Sequence, residues 1–321
     1  MRPVKDILRA LAVGAGLLFL FNAGAAFAAD EGKDLVLRGD AKCTRCHDES
    51  SAPGVLTIGQ RRHGTTADGR TPTCTTCHGA SEKHMNGPTD AKPDVVFKGP
   101  GAADAKVVND TCLTCHKGGQ RMHWMTSQHS ASGVACTSCH SVHSATDPVQ
   151  DKRLQPEVCF NCHKQQRTEI NKPSHHPIPE GKMACSDCHN PHGSAGPKQL
   201  KRDSVNEVCY TCHMEKRGPF VHNHEPVSED CTNCHNPHGT VAENMLKARP
   251  PFLCHQCHTP HGPQVGQILG QGQPSGLLSA TGSGKNGVNY FMARGCTNCH
   301  TEVHGSNNPA ATNPTPQFMF R

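Results

Sequence analysis

The chain has 321 residues, 20 of them Cys and 24 His, with a formal net charge of +5, 4% aromatic residues and a mean hydropathy of −0.59. One Trp, two Tyr and ten Phe are too few for the side-chain core that a domain of this length ordinarily buries. The weak, dispersed positive charge excludes a nucleic-acid partner, and the cysteine content leaves disulfides, zinc or covalent haem as the organising chemistry.

Residues 1–28 read as a secretory signal peptide: basic Arg2, Lys5 and Arg9, an apolar Leu11–Phe21, then Ala26-Phe27-Ala28 as a small-residue cleavage site. That run is short for a membrane span, and no later stretch is apolar enough to be one. Residues 29–321 are therefore expected to form one exported, soluble domain.

Every Cys in that domain belongs to a C-x-x-C pair followed at once by His. In chain order the ten motifs are Cys43/Cys46/His47, Cys74/Cys77/His78, Cys112/Cys115/His116, Cys136/Cys139/His140 and Cys159/Cys162/His163. They continue with Cys185/Cys188/His189, Cys209/Cys212/His213, Cys231/Cys234/His235, Cys254/Cys257/His258 and Cys296/Cys299/His300. This is the c-type haem attachment signal. Residues i and i+3 share one face of a helical turn, so both thiols can form thioethers with one porphyrin while the adjacent His becomes its proximal iron ligand. Zinc ribbons do not require the His, and disulfides within such short loops would not explain it. Ten covalently bound haem c groups are expected.

A low-spin haem iron needs a second axial ligand. Three motifs are flanked alike, with one His 7–9 residues before and one three residues after: His129/His143, His176/His192 and His224/His238. His63 and His84 flank the second motif more loosely, and His261 and His304 follow the ninth and tenth. These ten are the candidate distal ligands. His175 and His222, neighbours of chosen ligands, read as surface or supporting residues; His255 lies inside its own motif, and His123 beside Trp124 reads as packing.

Motif pairs beginning near residues 43, 112, 159, 209 and 254 suggest a repeat of two-haem units. Cys185–Gly193 (CSDCHNPHG) and Cys231–Gly239 (CTNCHNPHG) nearly repeat each other. Helical turns are expected only near motifs, as in Val205–Lys216 and Pro156–Glu169, with Pro- and Gly-rich coil elsewhere and negligible sheet. Gly87–Val108 reads as a linker after the first unit, and Gly262–Gly295 as a surface loop. Within the latter, Gly282–Gly287 matches G-x-G-x-x-G but follows no strand, so nucleotide binding is rejected. The fold class is a multihaem cytochrome c: irregular coil with short helices around C-x-x-C-H motifs, supporting an elongated haem chain.

No motif departs from His and spare histidines exceed the need, so an open catalytic iron is not expected; electron carriage is. The spacing of all ten motifs resembles the MtrA-type decahaem cytochromes, a family taking in the MtrA, MtoA, PioA and DmsE groups. The likeness is carried by Val134-Ala135-Cys136 to His143, Cys185–Gly193, Val208–Pro219 (VCYTCHMEKRGP), Cys231–Gly239 and Val303-His304-Gly305-Ser306-Asn307. It implies a periplasmic haem chain held inside an outer-membrane β-barrel porin. The implied partners are an extracellular multihaem cytochrome, minerals or metal ions on one side, and periplasmic or inner-membrane electron-transfer cytochromes on the other. The alternative is a soluble periplasmic store or shuttle serving a reductase, such as an outer-surface DMSO reductase. A polypeptide sheathed by a barrel needs no lipid-facing apolar surface of its own.

Overall fold

The computed structural model describes residues 40–64, 70–88, 90–258, 296–298 and 300–308. The expected signal peptide, the Gly262–Gly295 loop and the candidate ligand His261 lie outside them, as does Cys299.

Short turns organised by the motifs make up most of the regular structure. The longest described helix, α1 (Ala105–Leu113), has nine residues and carries the third motif's first Cys in its last turn. Next come α2 (Gln155–Phe160) and α3 (Lys164–Ile170), placed on either side of the fifth motif's end, and α4 (Val205–Cys209). The helical turns expected in 205–216 and 156–169 are present, each stretch holding two short elements separated where the motif closes. In 205–216 a 3₁₀ turn, Met214–Lys216, resumes after the break. The expected linker after the first motif pair includes the start of α1. Among the described residues there is no strand, only four isolated antiparallel bridges: Ser174 with Thr240, His189 with Leu200, His222 with Ser306, and His235 with Leu246.

The chain divides into two compact units. One holds the residues up to Cys112 together with His140–Asp147; the other holds Leu113–Cys139 and everything from Pro148 onward. In the first, Val108 is the buried apolar side chain and Asp40 is equally enclosed. In the second, Trp124, Phe160, Ile170, Ala184, Val208 and Ala242 are buried. Buried polar residues outnumber these, and Met122, Met125, Met214, Val221, Val241 and Phe252 are each more than 60% exposed. Apolar surface of that kind beside the motifs suits a cofactor that is itself a large apolar disc.

Candidate haem-binding sites

Seven of the ten motifs fold on themselves in the same way. The His N–H donates to the carbonyl of the motif's first Cys at 3.1 Å for His47, 3.0 Å for His163 and His189, 2.9 Å for His213, 3.1 Å for His235 and 2.8 Å for His258 and His300. That single i→i+4 bond sets both cysteines and the His along one turn, as attachment of one porphyrin requires. The residue just before the turn often caps it: Thr73 accepts from the Thr76 N–H at 3.3 Å and Asp230 from the Thr232 N–H at 2.7 Å. Ser204 does the same for Glu207 at 3.2 Å, opening α4.

Four odd–even pairs of motifs meet. The thiols of Cys43 and Cys74, Cys159 and Cys185, Cys209 and Cys231, and Cys254 and Cys296 lie close enough to perturb each other's ionisation. No disulfide joins the described cysteines. A side chain from just before the first motif clamps three of these pairs. Asp40 Oδ2 accepts the Cys74 N–H at 2.8 Å, Gln155 Oε1 the Ser186 N–H at 2.9 Å, and Asn206 Oδ1 the Cys231 N–H at 2.7 Å. All three clamps are buried.

Burial is uneven along the odd-numbered motifs. The first Cys of every motif is half-buried. The second, three residues on at the outer end of the turn, lies outside the thiol pairs just named. In the described odd-numbered motifs it reaches the surface: Cys46, Cys115, Cys162, Cys212 and Cys257 are exposed. In the even-numbered motifs Cys77, Cys139, Cys188 and Cys234 are half-buried. His116 is exposed beside Cys115. The physical reason is that two turns meet through their first cysteines, and a chain with so few apolar side chains has little left to cover the far end of each turn.

The histidines pair across the fold. Proximal rings face candidate distal rings with centroids 5.9–6.3 Å apart: His47 with His84, His78 with His143, His163 with His129, His189 with His238, His213 with His176, His235 with His304 and His258 with His224. Two metal–nitrogen bonds of about 2 Å each, plus the half-ring on either side, put imidazole centroids roughly 6 Å apart across one metal ion. The donor set therefore fits a bis-histidine haem iron. Burial pushes His78, His189, His238 and His304 below the ordinary histidine value, so these rings are neutral at pH 7, the form that ligates a metal.

The partners are not the ones proximity in sequence suggests. His238 follows the eighth motif but faces the sixth motif's His189; His176 precedes the sixth motif but faces the seventh motif's His213. Likewise His304, after the tenth motif, faces His235 of the eighth, and His224, before the eighth, faces His258 of the ninth.

Hydrogen bonds fix the rings. Proximal His189 and His235 donate from Nδ1 to the carbonyls of Lys198 at 3.0 Å and Asn244 at 2.8 Å. Both acceptors adopt left-handed backbone, with φ of 50° and 55°, inside the bridged loop that returns to each motif. Distal His129, His176 and His224 donate to Pro191 O at 2.8 Å, Pro237 O at 2.8 Å and Val303 O at 2.9 Å. Those acceptors immediately precede His192, His238 and His304, so one ligand's brace is the loop that carries another ligand. The Ser174–Thr240 and His222–Ser306 bridges lock the last two of these crossings. Gly239 and Gly305 sit in them at φ of +134°, and a Cβ at Gly239 would lie 2.4 Å from the Glu169 carbonyl.

Of the remaining expected ligands, His63 is half-buried and lowered by burial, and His192 sits 6.2 Å from the Trp124 ring. Proximal His116, His140 and His300 are outside the seven ring pairs named above. The four histidines read as non-ligands behave differently from one another; His255 is half-buried inside its own motif's turn. His175 bridges Lys172 O and Glu180, and His222 Nε2 bonds Asn308 O at 3.0 Å. His123 is exposed, and it is Trp124 that is buried. The clamps and the left-handed acceptors are supporting residues that motif spacing did not single out. Alignment of positions three before the first Cys, Asp40, Asn109 and Asn206, carries a signal for the clamps.

Comparison with known proteins places this geometry. The doubled CXXCH motif family matches residues 175–218 and 224–269, and the cytochrome c-type protein NrfB-like family matches residues 74–155. The multiheme cytochrome MtrA of Shewanella baltica (strain OS185) is 42% identical over 279 residues, 85% of this chain and 80% of that protein. The cytochrome c-type protein NrfB of Escherichia coli O6:H1 is 30% identical over 188 residues, 53% of this chain and 93% of that protein. With haem-attachment motifs along its length, histidines paired at iron-spanning distance and this extent of likeness, the chain belongs to the MtrA family of multihaem c-type cytochromes, electron-transfer proteins rather than enzymes.

Proposed function

We propose that this chain carries ten haem c groups as the periplasmic part of a conduit passing electrons through an outer-membrane β-barrel porin. It would do so between periplasmic or inner-membrane cytochromes and an extracellular multihaem cytochrome, mineral or metal ion. The observation that carries the reading is the set of seven His–His pairs at 5.9–6.3 Å, found in both units. When bound, each haem iron gains and gives up one electron. The paired histidines of this chain would hold a bound haem iron from both sides, which favours electron passage over substrate binding. Twenty cysteines would make the thioethers, the exposed Cys46, Cys115, Cys162, Cys212 and Cys257 and the half-buried Cys77 among them. His116 would be the third motif's proximal ligand, and His63, His192 and His261 would complete the distal set. The two-haem units beginning near residues 43, 159, 209 and 254 are supported by the close approach of their paired thiols, and the unit beginning near 112 is assigned by motif spacing.

Two measurements test this. A pyridine haemochrome assay on protein exported behind residues 1–28 should return ten haems per chain; far fewer removes the decahaem assignment. The purified cytochrome with its barrel, placed in vesicles that enclose a redox dye, should change the dye's colour when an impermeant reductant is added outside. A silent dye with the barrel present, alongside rapid exchange with small cytochromes in free solution, would establish the soluble shuttle instead.

A further inference from the structure

The ring hydrogen bonds of the ligand histidines are not all alike. Eight of them, His78, His84, His129, His143, His176, His189, His224 and His235, donate from Nδ1 to main-chain carbonyls at 2.6–3.0 Å. His140, the proximal residue of the fourth motif, instead meets a carboxylate: its Nδ1 lies 2.7 Å from Asp147 Oδ2. The Asp147 side chain is 4% exposed, and its Oδ1 accepts the Ser141 N–H at 3.1 Å. Two other carboxylates approach candidate ligands less closely. Glu169 is 3.5 Å from His238, and Glu215, largely in solvent, is 3.8 Å from His213.

A carbonyl offers a ligand ring a dipole; a carboxylate offers a full negative charge and pulls harder on the N–H proton. The ring nitrogen on the iron side then becomes the stronger donor, which favours the ferric over the ferrous state. Burial removes the water that would otherwise screen the charge. We propose that Asp147 is a positioning residue that holds the fourth-motif haem at a more negative potential than the haems whose ligands bond carbonyls. This rests on the reading of His140 as an iron ligand. Glu169 acts in the same sense on the sixth-motif site, and more weakly because of its longer contact. Electrons would then fill the other sites before the fourth, which becomes an internal threshold in the chain.

Asp147→Asn keeps an acceptor for the His140 ring and removes the charge. In a spectroelectrochemical titration of the purified holoprotein, the last single-haem amplitude to be reduced should move to more positive potential. The rest of the curve should stay in place, and Glu215→Gln should change nothing. On the unmodified protein, redox-poised magnetic circular dichroism gives an independent reading. The last ferric haem to disappear should show its near-infrared charge-transfer band at higher energy than the others. Superimposable titrations for Asp147→Asn and the parent, with haem content unchanged, would overturn the inference, as would a last-reduced haem with an ordinary band. If mass spectrometry finds the peptide containing Cys136 and Cys139 without haem, the parent assignment fails and takes this inference with it.

Discussion

The side-chain oxygen of Asn206 accepts the backbone N–H of Cys231 at 2.7 Å, while its amide nitrogen donates to the carbonyls of Val227 at 2.9 Å and Ser228 at 3.1 Å. One buried amide thus fixes the eighth motif's turn against the seventh. Asn206→Ala removes all three bonds and leaves the main-chain groups without this partner. The expected cost is about 2–4 kcal/mol, read as a lower guanidinium midpoint of the holoprotein. Asn206→Asp, which keeps the acceptor, should lose less. Equal stability of all three proteins would show that the clamp contributes nothing.

His222 and His224 stand two residues apart and should give opposite results. His224→Ala takes away the ring facing His258. One haem should become high-spin and bind carbon monoxide when reduced. His222→Ala removes a ring bonded to Asn308 O and should leave every haem low-spin. Electron paramagnetic resonance distinguishes the two; a high-spin signal from His222→Ala would reverse the ligand assignment.

Gly239→Ala should be severely destabilising. Its φ of +134° is unsuited to a side chain, and the new Cβ would lie 2.4 Å from the Glu169 carbonyl and 3.1 Å from that of Ser174. A loss of about 2–4 kcal/mol is expected. Gly54→Ala, where nothing lies within 4 Å, should change stability by no more than about 1 kcal/mol. Thermal melts of the two holoproteins make the comparison.

Produced without haem attachment, the chain should not fold. Seven buried apolar residues among those described are too little to offset the conformational entropy of ordering it. Circular dichroism should show a coil spectrum without a cooperative transition; a sharp melt of the haem-free chain would contradict this.

The short helices near the motifs and the absence of strands among the described residues were legible because such a motif is a local device, closed in seven of the ten by a bond from its own His to its own first Cys. The pairing of the ligands was not. Spacing picks out His238 as a ligand candidate beside the eighth motif, yet its ring faces His189. A residue three positions beyond a proximal His remains on the near side of that His's own porphyrin, so it can reach only another one. The unequal burial within a motif, Cys43 half-covered and Cys46 exposed, was equally invisible, because it comes from which turn packs on which. Asp147 was overlooked for a different reason: it occurs once, outside the repeat, and periodicity cannot reveal it. Asp40 was hidden because a carboxylate stands there where later repeats have the amides of Asn109 and Asn206.

The braces from His176 to Pro237 and from His224 to Val303 bear on how such proteins can change length over evolution. Deleting a single motif would strand a ring in the preceding repeat and orphan the loop that once steadied it. Growth or shortening by whole modules of two motifs leaves every remaining crossing intact. Natural variation in the number of haems should accordingly proceed in steps of two.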